Sequence, residues 1–305
     1  MASADKVHWL DAEDTELIAL FQLGCFELVS EAEARLHGKF IASKWVYKVK
    51  LNPDGTVQRY KARLVAKGFT QVPGSDYFDT YSPVFGHTSF RTILALAAKF
   101  DWQLDVWDLK NGFIQQDIDV PHLYMRCPEG HPYTMPDGSK AVLRAVKAIY
   151  GLKQSSRLLN KRLSAYLQSL GFTKLRTDQC VFTKGSGSEQ VVVCIWVDDI
   201  ILATGRHNHE ARTKFDADLR REFEVSPWTA GEANVFLGLK ITRNWDTGVI
   251  HVSLEQMIEK LAEQYGLNDH KGPPSVPMDP DLKLVKPAVP RSSADFDYPA
   301  AVGAL

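Results

Sequence analysis

QVVVCIWVDDIILAT, residues 190–204, decides how the rest of the chain is read. An apolar run at 191–197 leads into Asp198-Asp199, and a second at 200–203 leads out. Runs rich in Val and Ile read as strands buried on both faces. A two-residue break between two such runs reads as a tight hairpin. This break holds adjacent carboxylates and neither Gly nor Asn. Like charges side by side resist ionising together unless something positive offsets them. One reading is a solvated hairpin tip, where Asp is at home. The other is a divalent-metal site on a rigid hairpin.

Composition sets the frame. The 305 residues suffice for two or three units sharing a large core. A hydrophobic content of 45% and a charged content of 24% fit a soluble globular protein. The formal net charge of -1 is uninformative, so the distribution of charge has to be read instead. Cys25, Cys127, Cys180 and Cys194 form no CxxC pair, which argues against a zinc site or a disulfide framework and fits a reducing compartment. No signal peptide opens the chain, and no apolar run approaches the ~20 residues that span a bilayer. Walker A, HExxH and GxSxG motifs are absent, which removes ATPases, zincins and α/β-hydrolases.

Upstream of the hairpin, residues 140–176 contain no acid. A helix is expected over about 156–170, with Leu158, Leu159, Leu163, Tyr166 and Leu170 as its stripe. Further back, 44–68 alternates charged and apolar residues around Asn52-Pro53-Asp54-Gly55, a strong turn signal. Its basic residues, Lys44, Lys48, Lys50, Arg59, Lys61, Arg63 and Lys67, face one acid, Asp54. A solvated strand face would explain them, but the lack of offsetting acids favours a phosphate-binding ribbon with one basic face. Between these stretches, Asp105 and Asp108 are each placed to end a strand.

Helices are also expected over 11–23, 89–100 and 208–223, and loops over 74–84 and 128–139. Residues 235–242, VFLGLKIT, read as one strand that pairs with 248–252. Ser253 and Gln256 have capping-box spacing for a helix ending at Gly266. Residues 273–294 read as a Pro-rich linker, and the apolar end at 302–305 suggests truncation from a longer protein.

A pair of carboxylate positions flanked by basic surfaces suits two-metal phosphoryl transfer. Magnesium takes oxygen ligands, typically one or two carboxylates plus substrate phosphates. Two ions ~3.5–4 Å apart can hold the attacking and leaving oxygens of an in-line displacement.

Over residues 9–305 the chain resembles the reverse transcriptase of Ty1/copia-type LTR retrotransposons. The resemblance rests on KWVYKVKLNPDGTVQRYKARLVAKGFTQ (44–71), GSDYFDTYSPV (74–84), YGLKQSSRLLNKRL (150–163), WVDDIIL (196–202) and FLGLKI (236–241), in that order. It implies an α+β, right-hand polymerase with a ferredoxin-like βαββ palm. Fingers would cover 1–83 and 119–149, palm 84–118 and 150–245, and the thumb would start at 246. The implied activity is RNA-directed DNA polymerisation with two Mg2+ ions, or Mn2+ in their place. The implied partners are an RNA template, a DNA primer and dNTPs. RNase H, integrase and capsid parts would belong to the same polyprotein, working in a cytoplasmic virus-like particle and without a membrane.

The resemblance also implies roles. Asp198 and Asp199 match the metal-binding Asp-Asp turn, with Trp196 in the aromatic position. Asp108 matches the third carboxylate, since Phe113 and Ile114 follow at the family's spacing and Trp102 precedes it; Asp105 is the alternative. Phe113 would exclude a 2′-hydroxyl. Arg59, Lys61, Arg63 and Lys67 would face the triphosphate, and Gly151 and Gln154 would line the nucleotide pocket. Lys153, Arg157, Leu237 and Gly238 would face primer and template. The chain departs from the family at Gly112 (usually Ala), Gln115-Gln116 (usually Asn-Gly), Ser156 (usually Pro), Leu159 (usually Trp) and the unusual Val120-Pro121-His122. These departures leave a non-catalytic, nucleic-acid-binding remnant as the alternative.

Overall fold

Before the hairpin the chain runs through α1 (Lys6–Gln22), β1 (Phe26–Ser30), α2 (Glu31–Arg35), β2 (Ser43–Leu51), β3 (Val57–Ala66), α3 (His87–Lys99), β4 (Trp102–Asp108), β5 (Tyr124–Met125), β6 (Ala141–Ala145), α4 (Ser155–Ser169), β7 (Thr173–Lys174) and β8 (Val181–Lys184). The hairpin is β9 (Val191–Trp196) and β10 (Asp199–Gly205). Then come α5 (His209–Glu222), β11 (Val235–Phe236), β12 (Leu239–Arg243), β13 (Ile250–Ser253) and α6 (Glu255–Gln264). The structure, a computed structural model, describes residues 5–52, 54, 56–226, 235–236 and 239–266. Contacts divide the chain into two units, Met1–Ser253 and Leu254–Leu305.

The fold is mixed α/β with several sheets. The largest has the order β4-β10-β9-β8-β7, so the hairpin is its interior. Val192 to Ile195 and Ile200 to Ala203 are all buried. Consecutive buried residues on a strand require cover on both faces. Cover comes from helices whose apolar residues recur at helical spacing: Phe90, Ile93, Leu94 and Ala97 on α3, Leu159, Leu163 and Leu167 on α4, and Phe215 and Leu219 on α5, in one shared core. Each such Leu, Ile or Phe contributes about 1.5–3 kcal/mol by leaving water.

A second core joins α1 and the β1-β6-β5 sheet to the root of β3. β2 and β3 form a separate ribbon whose base docks on the segment before α4. There Ala66 donates its N–H to the Tyr150 carbonyl (2.8 Å). A Cβ on Gly68 would fall 2.0 Å from the Gly151 carbonyl oxygen, and one on Gly151 2.2 Å from that of Ala66. Gly151 also sits at φ +89°, so both close approach and backbone conformation demand glycine there.

Several expectations need correcting. β4 ends at Asp108 alone, with Asp105 in its middle. VFLGLKIT is not one strand: Phe236 pairs with Leu239 and Val235 with Lys240, so the run folds back on itself. An apolar run of this length has no periodicity that separates one strand from two short ones. Ser253 belongs to β13, and α6 starts after Leu254, which defeats the capping-box reading. One face of the ribbon is partly covered by α1, where Trp9 meets Tyr47 and Tyr60 and Ala62 is buried, while Val49, Leu51 and Val57 at its outer end are exposed. Of the ribbon turn, Pro53 and Gly55 lie outside the described residues; Asn52 N–H and the Thr56 carbonyl close it at 2.8 Å. The Pro-rich stretch 273–294 and the apolar end also lie outside them. All four cysteines are free, and among the described residues no helix is long and apolar enough to cross a membrane.

Candidate active site

The tip of the hairpin is shifted by one residue from the expected position. Trp196 pairs with Asp199, leaving Val197 and Asp198 as the two-residue turn. Val197 takes φ +54°, a conformation that hairpin turns usually give to Gly or Asn. A β-branched residue there is strained, and such strain persists only where surroundings over-determine it. Here buried strands on both sides hold the turn.

Asp199 is the first residue of β10 and lies directly opposite Asp108, the last residue of β4. Opposed residues of antiparallel strands share a face, so the ladder sets these two carboxylates side by side. Asp105, an odd number of residues away, points to the other face. It is fully buried, accepts a hydrogen bond from Gln103 Nε2 (2.8 Å), and has Arg212 Nε 3.8 Å from its Oδ2. The geometry therefore separates Asp105 from the hairpin tip and brings Asp108 to it.

Around the tip, charge is crowded. Burial raises the Asp199 carboxyl to about 6, and the charges of Asp198 and Asp108 add to the effect. Burial also raises Asp198; a hydrogen bond to its own backbone opposes this, Asp108 adds to it and the Arg63 cation opposes it. Asp108 is exposed and accepts a hydrogen bond from Ser226 Oγ (3.1 Å). The Asp198 carbonyl accepts the Leu109 N–H (2.8 Å), which ties the tip to the chain just after β4. Among the described residues, no three His, Cys, Asp or Glu side chains are already gathered closely enough to hold a metal ion.

Beside the carboxylates lies an aromatic cluster. Asn111 takes a left-handed conformation (φ +52°), turning the chain into the short 3-10 helix Gly112–Gln115. Phe113 on that helix meets Tyr150 edge-on, with ring centroids 5.1 Å apart. The Arg63 guanidinium lies 4.7 Å from the Tyr150 centroid. Arg63 thus reaches from the ribbon to the hairpin tip.

The ribbon presents its basic residues together. Lys48 stands opposite Lys61, Lys50 opposite Arg59, and Val46 opposite Arg63, so Lys48, Lys50, Arg59, Lys61 and Arg63 share one face. Like charges directly opposed on a sheet are destabilising unless an anion joins them. Burial lowers the Lys61 ammonium, and neighbouring Arg63 lowers it further. Lys67 is half-buried at the ribbon's base, its N–H bonded to the Ala42 carbonyl (2.8 Å).

Other expected residues have structural employment. Gln154 is fully buried; it donates to the Asp76 carbonyl (2.8 Å) and accepts from Gln71 Nε2 (3.0 Å). It holds a loop and does not face an open pocket. Lys153 donates to the Tyr77 hydroxyl (3.2 Å), and Arg157 to the Asp79 carbonyl (2.9 Å) and the Asp119 carboxylate. Trp196 is half-buried, 6.2 Å between centroids from His87. Leu237 and Gly238 lie outside the described residues. Two departures from the family pattern meet: a Cβ on Gly112 would stand 3.2 Å from Leu159 Cδ2.

Sequence reasoning missed Tyr150 and Ser226. Tyr150 had a signal, as the aromatic residue adjoining Gly151. Ser226 had none, since it follows α5 in irregular chain and reaches Asp108 only through the fold.

The sequence profile of the family described as reverse transcriptase (RNA-dependent DNA polymerase) matches residues 25–280. The retrovirus-related Pol polyprotein from transposon TNT 1-94 of Nicotiana tabacum is 31% identical over 312 residues, covering 100% of this chain and 23% of that protein. The corresponding polyprotein from transposon RE1 of Arabidopsis thaliana is 32% identical over 297 residues, covering 97% of this chain and 19% of that protein. The truncated transposon Ty1-A Gag-Pol polyprotein of Saccharomyces cerevisiae is 31% identical over 184 residues, covering 59% of this chain and 14% of that protein. The chain spans about a fifth of the length of the two plant relatives.

Proposed function

We propose that this chain, which belongs to the Ty1/copia-type reverse transcriptase family, is an RNA-directed DNA polymerase that extends a DNA primer along an RNA template with dNTPs. The observation that carries the reading is the opposition of Asp108 and Asp199 at the mouth of the Val197-Asp198 turn. Asp198 and Asp199 are half-buried carboxyls raised first by burial and then by neighbouring carboxylate charge, a strain that a divalent cation would relieve.

The donor set fits Mg2+, with Mn2+ as a substitute: all oxygen, few protein ligands, and room for substrate phosphates to complete the shell. Asp108, Asp198 and Asp199 would hold it. When bound, paired ions stabilise the attacking and leaving oxygens of phosphoryl transfer. The chain's own residues do the rest. Phe113, braced by Tyr150, walls the sugar side and leaves no space for a 2′-hydroxyl. Arg63, held over Tyr150, presents its guanidinium toward the carboxylates, where the triphosphate arrives. Lys61 and Arg59 extend that positive face along the ribbon.

In this reading 1–83 and 119–149 are fingers, and 84–118 and 150–245 are palm. The thumb segment starts at 246, and its first helix follows Ser253. The chain would work within a larger Pol polyprotein, beside RNase H, integrase and capsid parts in a cytoplasmic particle.

The test is extension of a 5′-labelled DNA primer on an RNA template by the purified chain, with dNTPs and Mg2+. Template-directed products that vanish with Asp198→Asn support the reading. Binding without extension, even with the downstream polyprotein segment restored, supports the non-catalytic alternative.

A further inference from the structure

Asp108 ends β4, the outermost strand of the five-stranded sheet. An exposed carboxylate at such a place is ordinarily free to turn among its rotamers. Here it is held. The chain leaving α5 lies along the edge of β4 and pairs with the residues at and just past its end. Ser226 N–H donates to the Asp108 carbonyl (2.9 Å), Lys110 N–H donates to the Glu224 carbonyl (2.9 Å), and Leu109 bridges Val225. This pairing brings Ser226 Oγ to Asp108 Oδ2 (3.1 Å). An ionised carboxylate only accepts hydrogen bonds, so the hydroxyl proton is directed at Asp108.

Ser226 is itself fixed from two sides. Arg220 Nη2 donates to its carbonyl (3.1 Å), and Arg220 Nε donates to Asp216 (2.8 Å). Asp216 also accepts the indole N–H of fully buried Trp107 (2.8 Å). The polar chain thus leaves β4 at Trp107 and returns to it at the next residue, Asp108. The second hold is Gln115. Its amide nitrogen donates to the Lys110 carbonyl (2.6 Å) and to the Glu224 carbonyl (3.4 Å), and its amide oxygen accepts the Glu224 N–H (3.1 Å). One side chain thereby ties the run after β4 to the run after α5. Gln115 stands where the family pattern usually has Asn, a side chain with one methylene less reach.

We infer that Ser226 is a positioning residue for Asp108, and that Gln115 is the clamp that keeps it in place. With Oδ2 engaged by the hydroxyl, Oδ1 is the oxygen left for a divalent cation. Outer hydrogen-bond partners of this kind orient ligating carboxylates, and losing one costs about 10–100-fold in metal affinity. The inference rests on the polymerase reading, in which Asp108 is a metal ligand.

The experiment measures metal uptake apart from catalysis. The full chain is titrated with Mn2+ alone, and free Mn2+ is followed by electron paramagnetic resonance. Ser226→Ala should weaken Mn2+ binding about tenfold. Its Tm in EDTA should stay at the wild-type value, since water can take the place of the hydroxyl on an exposed carboxylate. Ser226→Thr, which keeps the hydroxyl, should restore most of the affinity. Gln115→Ala should also weaken binding, and should add little to Ser226→Ala, as two parts of one element do. In RNA-templated extension, Ser226→Ala should raise the half-saturating Mg2+ about tenfold and leave the KM for dNTP at saturating Mg2+ unchanged. Wild-type Mn2+ affinity in Ser226→Ala overturns the inference. A Ser226→Thr variant as weak as the alanine variant does so too, by assigning the effect to packing, and full additivity removes Gln115 from the arrangement. Asp108→Asn and wild-type extension, run in parallel, separate the two ideas. Extension by the wild type with Mn2+ binding that depends on Asp108 but not on Ser226 sinks the positioning role alone. Mn2+ binding unaffected by Asp108→Asn sinks the ligand assignment and the positioning role together. Uptake that depends on both residues, in a chain that extends no primer, sinks the polymerase reading and leaves Ser226 positioning a metal ligand.

Discussion

Asp108 and Asp199 face each other across the β4–β10 ladder, and that register fixes which carboxylates can meet. A slip of one residue would send every side chain of β4 to the other face. In β4 it would carry buried Trp107 away from the Phe215 ring and buried Asp105 away from Arg212. Core packing thereby determines the geometry of the candidate site.

The crowded carboxyls give a pH signature. Asp199 titrates at about 6, above its ordinary 3.8. A raised folded-state value means the ionised group opposes folding: the cost is absent below the unfolded value, grows as pH rises between the two, and is complete above about 6. Asp199→Asn should therefore stabilise the chelated protein at pH 7.5 by ~1 kcal/mol after discounting for partial exposure, or about 2–4 °C in Tm. The gain should shrink toward pH 4.5. A gain that is the same at both pH values would remove the electrostatic explanation. Millimolar Mg2+ should raise the wild-type Tm at pH 7.5 and do so less for the variant.

Val197 bears strain at the turn. Val197→Gly should release it and raise stability by ~1 kcal/mol in urea melts, the glycine's extra unfolded-state entropy taking back part of the gain. Destabilisation instead would mean that Val197 packing outweighs its backbone cost.

Gly112 and Leu159 should behave as a coupled pair. Gly112→Ala introduces a Cβ 3.2 Å from Leu159 Cδ2 and 3.3 Å from Leu109 Cβ. The expected cost is ~1 kcal/mol. In a Leu159→Ala background, itself costing ~2–5 kcal/mol, the penalty of the alanine at 112 should fall by at least ~0.5 kcal/mol in a double-mutant cycle. Strict additivity would show that the two departures from the family pattern are independent.

Arg212 is fully buried and fixes the start of α5, donating to the Thr204 hydroxyl (3.2 Å) and the Arg206 carbonyl (2.9 Å) while facing Asp105. Arg212→Met should lower stability by about 3–5 kcal/mol, because it removes the cation facing a buried carboxylate. Pairing it with Asp105→Asn should recover part of that loss. No recovery would assign the loss to the missing hydrogen bonds alone.

Much of this was legible in the chain. Val and Ile content gave the hairpin, leucine spacing gave α4, and alternation gave the basic ribbon, whose shared face follows from the observed pairing of Lys48 with Lys61 and Lys50 with Arg59. The choice between Asp105 and Asp108 rested on the family's spacing, although parity on a strand separates them without it. The one-residue shift of the turn was hidden, because it puts a β-branched residue where sterics disfavour one. Gln154 could not be told from a pocket residue, since its burial comes from a loop folding back from residues 71–76. The link from Ser226 to Asp108 is tertiary and leaves no local pattern.

The most direct measurement is RNA-templated primer extension by the wild type and by Asp108→Asn, a substitution of an exposed side chain that should leave the fold intact. The account predicts template-directed products from the wild type and a loss of at least ~10²–10³-fold in rate for the variant, with primer–template affinity retained. Extension by Asp108→Asn at the wild-type rate would contradict it.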